Sequence, residues 1–235
     1  MVVQKFAIVA CVVMSVGLGE GGAMEDSVVN LVPVPKEIVQ RSGSLALASG
    51  SRITVDDPTL RPLAGILSEA MFLQTGVEVK PGAGRPARGS ITLSLDPELN
   101  PEAYTIVVDK AVVVTGHDYR AAAWGVATLL QLVRGEEGRA ALPRLRIEDA
   151  PDVEYRGVLL DLARRRHPVQ TVKDAINLMW LYKVNYLHLH LSDTQSFVFP
   201  STSLPKLPTP GWAYTMEEMK DIVAFADARG VTIIP

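Results

Sequence analysis

Residues 185–195 read Asn-Tyr-Leu-His-Leu-His-Leu-Ser-Asp-Thr-Gln, which sets His188 and His190 two apart and Asp193 three residues further on. Successive side chains of a strand point to opposite faces, so a strand here places both imidazoles on one face. Such a pair fits a divalent-metal site or direct contact with a substrate, and it equally fits histidines hydrogen-bonded within a core. No third metal ligand stands near it, so no metal and no other cofactor is expected. Asp193 follows the strand in a polar loop, where a carboxylate accepts hydroxyl groups, orients a neighbouring histidine or bonds its own backbone as a turn residue. Asp161 closes the run Gly157-Val-Leu-Leu-Asp, and Arg156 opens it. At that position an arginine is either a guanidinium fork for hydroxyls and carboxylates or half of a salt bridge under the strand, and position alone favours the salt bridge.

These residues need a parallel strand–helix array to bring them together. After Pro151 the pattern predicts strand 157–161, helix 172–182, strand 185–191, helix 216–229 and strand 231–234. The strands are near-continuous apolar runs, as in parallel sheets covered on both faces. Thr215 is suited to cap the second helix, with Glu217 and Glu218 in its first turn and Gly230 beyond its end. In a (β/α) barrel, functional groups lie at the C-terminal ends of the strands, which selects Asp161, His190 and Asp193. A closed barrel takes roughly 250 residues, so the segment 151–235 is expected to be the incomplete N-terminal portion of one, about two and a half units, within a truncated chain.

Upstream, residues 28–150 predict a small mixed α/β domain, with strands near 52–55, 90–95, 104–108 and 111–115. Helices at 60–75 and 119–133 carry apolar residues at three- and four-residue spacing. The stretch 134–143 reads as a polar connector and 81–89 as a surface loop. Trp124 and Trp180 fall on apolar helix faces, whereas Trp212 sits in a Pro/Gly loop as a sugar-stacking indole or a loop anchor. Residues 1–23 have a basic start, a short apolar core and a small-residue exit, the pattern of a secretory signal peptide, so export to the periplasm or cell exterior is expected. The one cysteine, Cys11, lies in that run and also fits a lipid-anchor box as the alternative. The formal charge of -3, with no long single-sign run, gives no footprint for nucleic acid. The run Arg164-Arg165-Arg166-His167 is read as a solvated loop holding one or two ion pairs. No membrane span is expected.

Three stretches, YRGVLLDLARRRHPVQTVKDAINLMWLYKVNYLHLHLSDTQSF, LPKL and YTMEEMKDIVAFADARGVTIIP, resemble in order the first three strands of the family 20 β-N-acetylhexosaminidase barrel. Upstream, EAYTIVV, VVVTG and AAAWGVATLLQLV resemble the small α/β domain before it. The resemblance implies an α/β fold in which that domain precedes a (β/α)8 barrel. It implies hydrolysis of terminal N-acetylhexosamine residues of glycans or chitooligosaccharides by a retaining, substrate-assisted route, in which the 2-acetamido oxygen attacks the anomeric carbon. Arg156 then matches the arginine that holds sugar hydroxyls at the bottom of the pocket, and Asp193 the aspartate supporting the active-site network.

The family's Asp-Glu pair is expected after the fourth strand, beyond Pro235, so this chain alone is expected to be inactive. Glu148-Asp149, in a linker, and Glu217-Glu218, on a helix, do not match it. Arg165 stands where many members have histidine and Thr194 where many have a second acidic residue, departures that bear on substrate preference. Two alternatives remain: a truncated or degenerate relative that binds sugar without catalysis, and a metal-dependent hydrolase built on His188 and His190.

Overall fold

A computed structural model describes residues 29–84, 87–136 and 138–235; the segment 1–23 read as a signal peptide, with Cys11, lies outside them. The first unit comprises β1 (Glu37–Leu47), β2 (Arg52–Val55), α1 (Arg61–Thr75), β3 (Lys80–Pro81), β4 (Ile91–Leu95), β5 (Tyr104–Val108), β6 (Val112–Gly116), α2 (Tyr119–Leu132), β7 (Arg134–Glu136) and β8 (Arg139–Asp149). The second comprises β9 (Gly157–Asp161), α3 (Val169–Leu181), β10 (Tyr186–His190), α4 (Met216–Asp227) and β11 (Thr232–Ile234).

The strands of the first unit form one mixed sheet in the order β1-β8-β5-β6-β4-β2-β3, with β7 pairing β8. Two expectations change here. The stretch read as a polar connector is the β7–β8 hairpin, and Glu148-Asp149 ends β8 instead of lying in a linker. β8 tolerates Pro143 because its flank changes hands there: β7 pairs Arg139–Ala141, β5 pairs Leu145–Asp149, and the proline falls between them.

α2 is buried along nearly its whole circumference, since it is clamped between this sheet and α3. Gly125 permits the inner contact, for a Cβ there would meet Val114 Cγ1 at 2.5 Å. On the outer side the Trp180 indole of α3 donates to the Ala123 carbonyl at 2.8 Å. Trp124 and Trp180 are thus both core residues.

The second sheet is parallel in the order β11-β10-β9, with Leu159 opposite His188 and Asp161 opposite His190. α4 begins with the expected cap, a reciprocal box in which Thr215 Oγ1 accepts from Glu218 N and Glu218 accepts from Thr215 N. Central β10 buries Leu187 and Leu189 against the helices. β9 and β11 are the edges of this three-stranded sheet, and Val158 and Leu159 of β9 are 47% and 55% exposed, as the expected incomplete barrel leaves them.

A buried charge network joins the units. Lys183 Nζ lies 2.7 Å from both Asp149 Oδ2 and the Tyr104 hydroxyl, and that hydroxyl donates to Asp149 at 2.7 Å. Burial pushes the Asp149 carboxyl up, but hydrogen bonds from Lys183 and Tyr104 outweigh it and leave it below its ordinary value. Burial also lowers the Lys183 ammonium, which Asp149 in part holds up.

Removing one partner of such a pair strands the other. Lys183→Met is expected to cost about 3–5 kcal/mol of unfolding free energy, and Lys183→Met with Asp149→Leu to recover much of it. Urea denaturation measures both, with Asp149→Leu alone as the third corner; a double variant whose loss equals the sum of the two single losses would mean the charges are not coupled.

Candidate active site

Parallel pairing carries β9 and β10 to the same edge of the sheet, where their last residues and following loops meet. Leu187 and Leu189 face the helices, so His188 and His190 take the opposite face with Leu159 and Asp161. The loops are stitched to the strand ends. Leu162 and Ala163 amides both donate to the His190 carbonyl at 3.1 Å, and the buried Ser196 hydroxyl donates to the Ala163 carbonyl at 2.6 Å.

Asp193 is the centre of the cluster, with a side chain only 12% exposed. Its Oδ2 lies 2.9 Å from His190 Nε2 and 2.7 Å from Arg164 Nη2. Its Oδ1 accepts from the Thr194 amide at 2.7 Å and the Thr194 hydroxyl at 3.0 Å. Two of the three sequence readings of Asp193 are seen together: it bonds the backbone of its own turn and it contacts a histidine. The hydrogen bond to His190, with those from Thr194 and the Arg164 charge, lowers its pKa to about 2.

Asp161 lies alongside. Its Oδ1 accepts from the Ala163 and Arg164 amides at 3.0 and 2.9 Å, and its Oδ2 takes Arg164 Nη1 at 3.2 Å. The bond from the Arg164 amide, followed by the His190 and Arg164 charges, holds this carboxyl below its ordinary value. Arg164 therefore bridges the carboxylate at the end of β9 and that of the loop after β10, one of the ion pairs foreseen for the arginine run. Arg166 supplies another, with Glu218 at 3.8 Å, and donates to the Trp212 carbonyl at 3.0 Å. Trp212 itself is 39% exposed at this loop.

Of the four residues expected at the site, the structure gathers Asp161, His190 and Asp193 and sets Arg156 apart. Arg156 lies before β9, under the N-terminal end of the sheet, where Nη2 meets Glu102 Oε2 at 2.7 Å. Its Nε donates to the Lys183 carbonyl and its Nη1 to the Val153 and Glu154 carbonyls. This is the salt bridge that position alone favoured. Sequence reasoning missed its partner Glu102, which lies 54 residues away in the first unit.

The cluster is a set of ionised acceptors, an imidazole and a guanidinium within hydrogen-bond reach, open at one edge. It can accept hydrogen bonds from the hydroxyl groups of an uncharged polyol and orient an imidazole through a carboxylate. No group of three or more histidine, cysteine, aspartate or glutamate residues able to hold a metal occurs among the described residues. No helix among them is long and apolar enough to cross a membrane.

Because the folded pKa of Asp193 is depressed, its stabilising bonds are complete above the unfolded value of about 4 and are lost as pH falls towards 2. A carboxyl-carbon NMR titration is expected to place its midpoint near 2 in the native chain. A midpoint at the ordinary aspartate value would contradict the cluster geometry.

Residues 28–150 match the model of glycosyl hydrolase family 20, domain 2, and residues 153–235 match that of the family 20 catalytic domain. A β-hexosaminidase of Vibrio furnissii is 32% identical over 236 residues, covering 91% of this chain and 38% of that protein. A solved structure of the GH20 exo-β-N-acetylglucosaminidase from Vibrio harveyi, in complex with N-acetylglucosamine, superposes with a TM-score of 0.78 at 28% identity, over 87% of this chain and 35% of that one. The GH20 β-N-acetylhexosaminidase of Streptomyces coelicolor A3(2) does so with a TM-score of 0.78 at 27% identity, over 87% and 45%. The chain thus spans less than half the length of each of these relatives.

Proposed function

The chain belongs to glycosyl hydrolase family 20, and from that premise we propose that the whole protein is a β-N-acetylhexosaminidase removing terminal N-acetylhexosamine residues from glycans or chitooligosaccharides. One observation carries the reading: a strand-end cluster of Asp161, His190, Asp193 and Arg164 lies where this architecture builds its catalytic mouth.

In the proposed reaction the substrate supplies its own nucleophile. The 2-acetamido oxygen attacks the anomeric carbon while an acid protonates the departing oxygen, and water then opens the cyclic intermediate with net retention. The Asp-Glu pair for these steps is assigned to the strand after β11. This chain's residues build the adjoining wall. Asp193, ionised throughout the neutral range, fixes the His190 ring, and Arg164 fixes Asp193 against Asp161. By the family resemblance Arg156 would hold a sugar hydroxyl; in this structure its guanidinium is engaged beneath the sheet by Glu102 and the Lys183 carbonyl. Thr194 contributes what an acidic side chain there would not, a second donor to Asp193. Residues 1–23 support export, which suits an enzyme acting on external glycans.

The whole gene product is expected to release nitrophenol from a nitrophenyl N-acetyl-β-D-glucosaminide and not from the matching β-D-glucoside, which lacks the acetamido group. Asp193→Asn is expected to lower kcat/KM by roughly 10–100-fold, the equivalent of one charge-assisted hydrogen bond. Equal hydrolysis of both glycosides, or an unaffected Asp193→Asn enzyme, would sink the proposal.

A further inference from the structure

Among the described residues, Glu102 and Lys183 are the non-glycine residues with positive φ, at 57° and 59°. An L-residue in that region is strained, and strain persists only where surrounding contacts over-determine it. Both residues lie at the junction between the two units, and both carry a charged side chain into it: Glu102 is 13% exposed and Lys183 is 10% exposed. Lys183 completes the network with Asp149 and Tyr104. Glu102 reaches further.

The Glu102 carboxylate touches, directly or through one residue, the N-terminal end of each strand of the parallel sheet. Oε2 takes Arg156 Nη2 at 2.7 Å, immediately before β9. Oε1 takes Asn185 Nδ2 at 3.1 Å, immediately before β10. The same Oε1 takes Arg120 Nη1 at 3.3 Å, whose Nη2 donates to Thr232 Oγ1 at 2.7 Å at the first residue of β11. Asn185, fully buried, ties these ends to each other. Its side-chain carbonyl accepts from the Arg156 amide, its own amide donates to the Arg156 carbonyl, and its carbonyl accepts from the Thr232 amide.

We infer that Glu102 is a latch by which the first unit sets the register of β9, β10 and β11. Binding Arg156 and Asn185 to one carboxylate fixes which residues of the two strands stand opposite, and hence that Asp161 stands opposite His190. A slip of one residue would turn Asp161 to the helix-facing side and dissolve the cluster at the far edge. The small domain, which offers no chemistry of its own, thereby shapes the site from the opposite end of the strands.

Glycine provides a test whose sign discriminates, because it suits φ 57° better than glutamate does. If Glu102 is a turn residue only, Glu102→Gly raises the thermal midpoint of the chain. If it is the latch, the variant loses three polar contacts and the midpoint falls, by roughly 4–10 °C. Glu102→Gln keeps the size of the side chain and serves if the glycine variant does not fold. In it, hydrogen exchange is expected to rise about tenfold at the Asn185, Tyr186 and Thr232 amides and also at the Leu162 and Ala163 amides, which bond the His190 carbonyl at the far edge. The β1–β8 amides should not change. A raised midpoint in Glu102→Gly, or faster exchange in Glu102→Gln confined to the near ends or absent, would overturn the assignment.

Discussion

The pairing of β9 with β10, parallel and with Asp161 opposite His190, is the constraint on which the remaining features depend. A parallel pair has two chemically different ends. At one end the strands emerge from the first unit, and their opening residues are bound to buried charges from it. At the other, the strands release two loops side by side, and side chains far apart in sequence come within hydrogen-bond distance. An antiparallel pairing would place the end of one strand beside the start of the other and separate His190 from Asp161. The α2–α3 contact, with the Trp180 indole bonded to the Ala123 carbonyl, keeps the parallel sheet seated on the first unit while this is achieved.

The two ends use charge differently. Beneath the sheet, Lys183–Asp149 and Arg156–Glu102 are largely withdrawn from water, and for Lys183 and Asp149 burial opposes ionisation while their mutual contact favours it. Such pairs add little net stability over apolar packing, yet their directionality selects one arrangement over its neighbours. At the loop edge Arg164 is 60% exposed, so its worth lies in fixing geometry between Asp161 and Asp193 and not in stability. Asp193 is kept ionised mainly by hydrogen bonds from His190 and Thr194, which also hold the imidazole at a set angle to the open face.

Much of this was legible in the sequence where burial drives the pattern. The strands 157–161 and 186–190, the helices α1–α4 and the Thr215 cap follow from apolar spacing and capping chemistry. The rule that strand ends carry function selected Asp161, His190 and Asp193, and the structure brings these three together. β1 escaped because much of its length is polar and exposed, and the β7–β8 hairpin because Gly138, Pro143 and the charges of Arg139, Arg144 and Arg146 break up the buried apolar residues of β8; pairing holds them, and pairing leaves no local signature. Glu102 escaped for a related reason. Its partners Arg156 and Asn185 lie 54 and 83 residues away, and nothing in the turn that carries it announces a buried carboxylate. Arg156 shows the limit from the other side: the family resemblance implied sugar contact, whereas its local position implied the salt bridge that its contacts display.

The central claim is that the strand-end cluster lines a sugar pocket. The most direct measurement is a crystal structure of the whole gene product with N-acetylglucosamine bound. The account predicts the sugar ring at the C-terminal ends of β9 and β10, with Asp161, His190, Asp193 and Arg164 keeping the contacts described above. A sugar bound elsewhere, or a cluster that comes apart in the closed barrel, would contradict it.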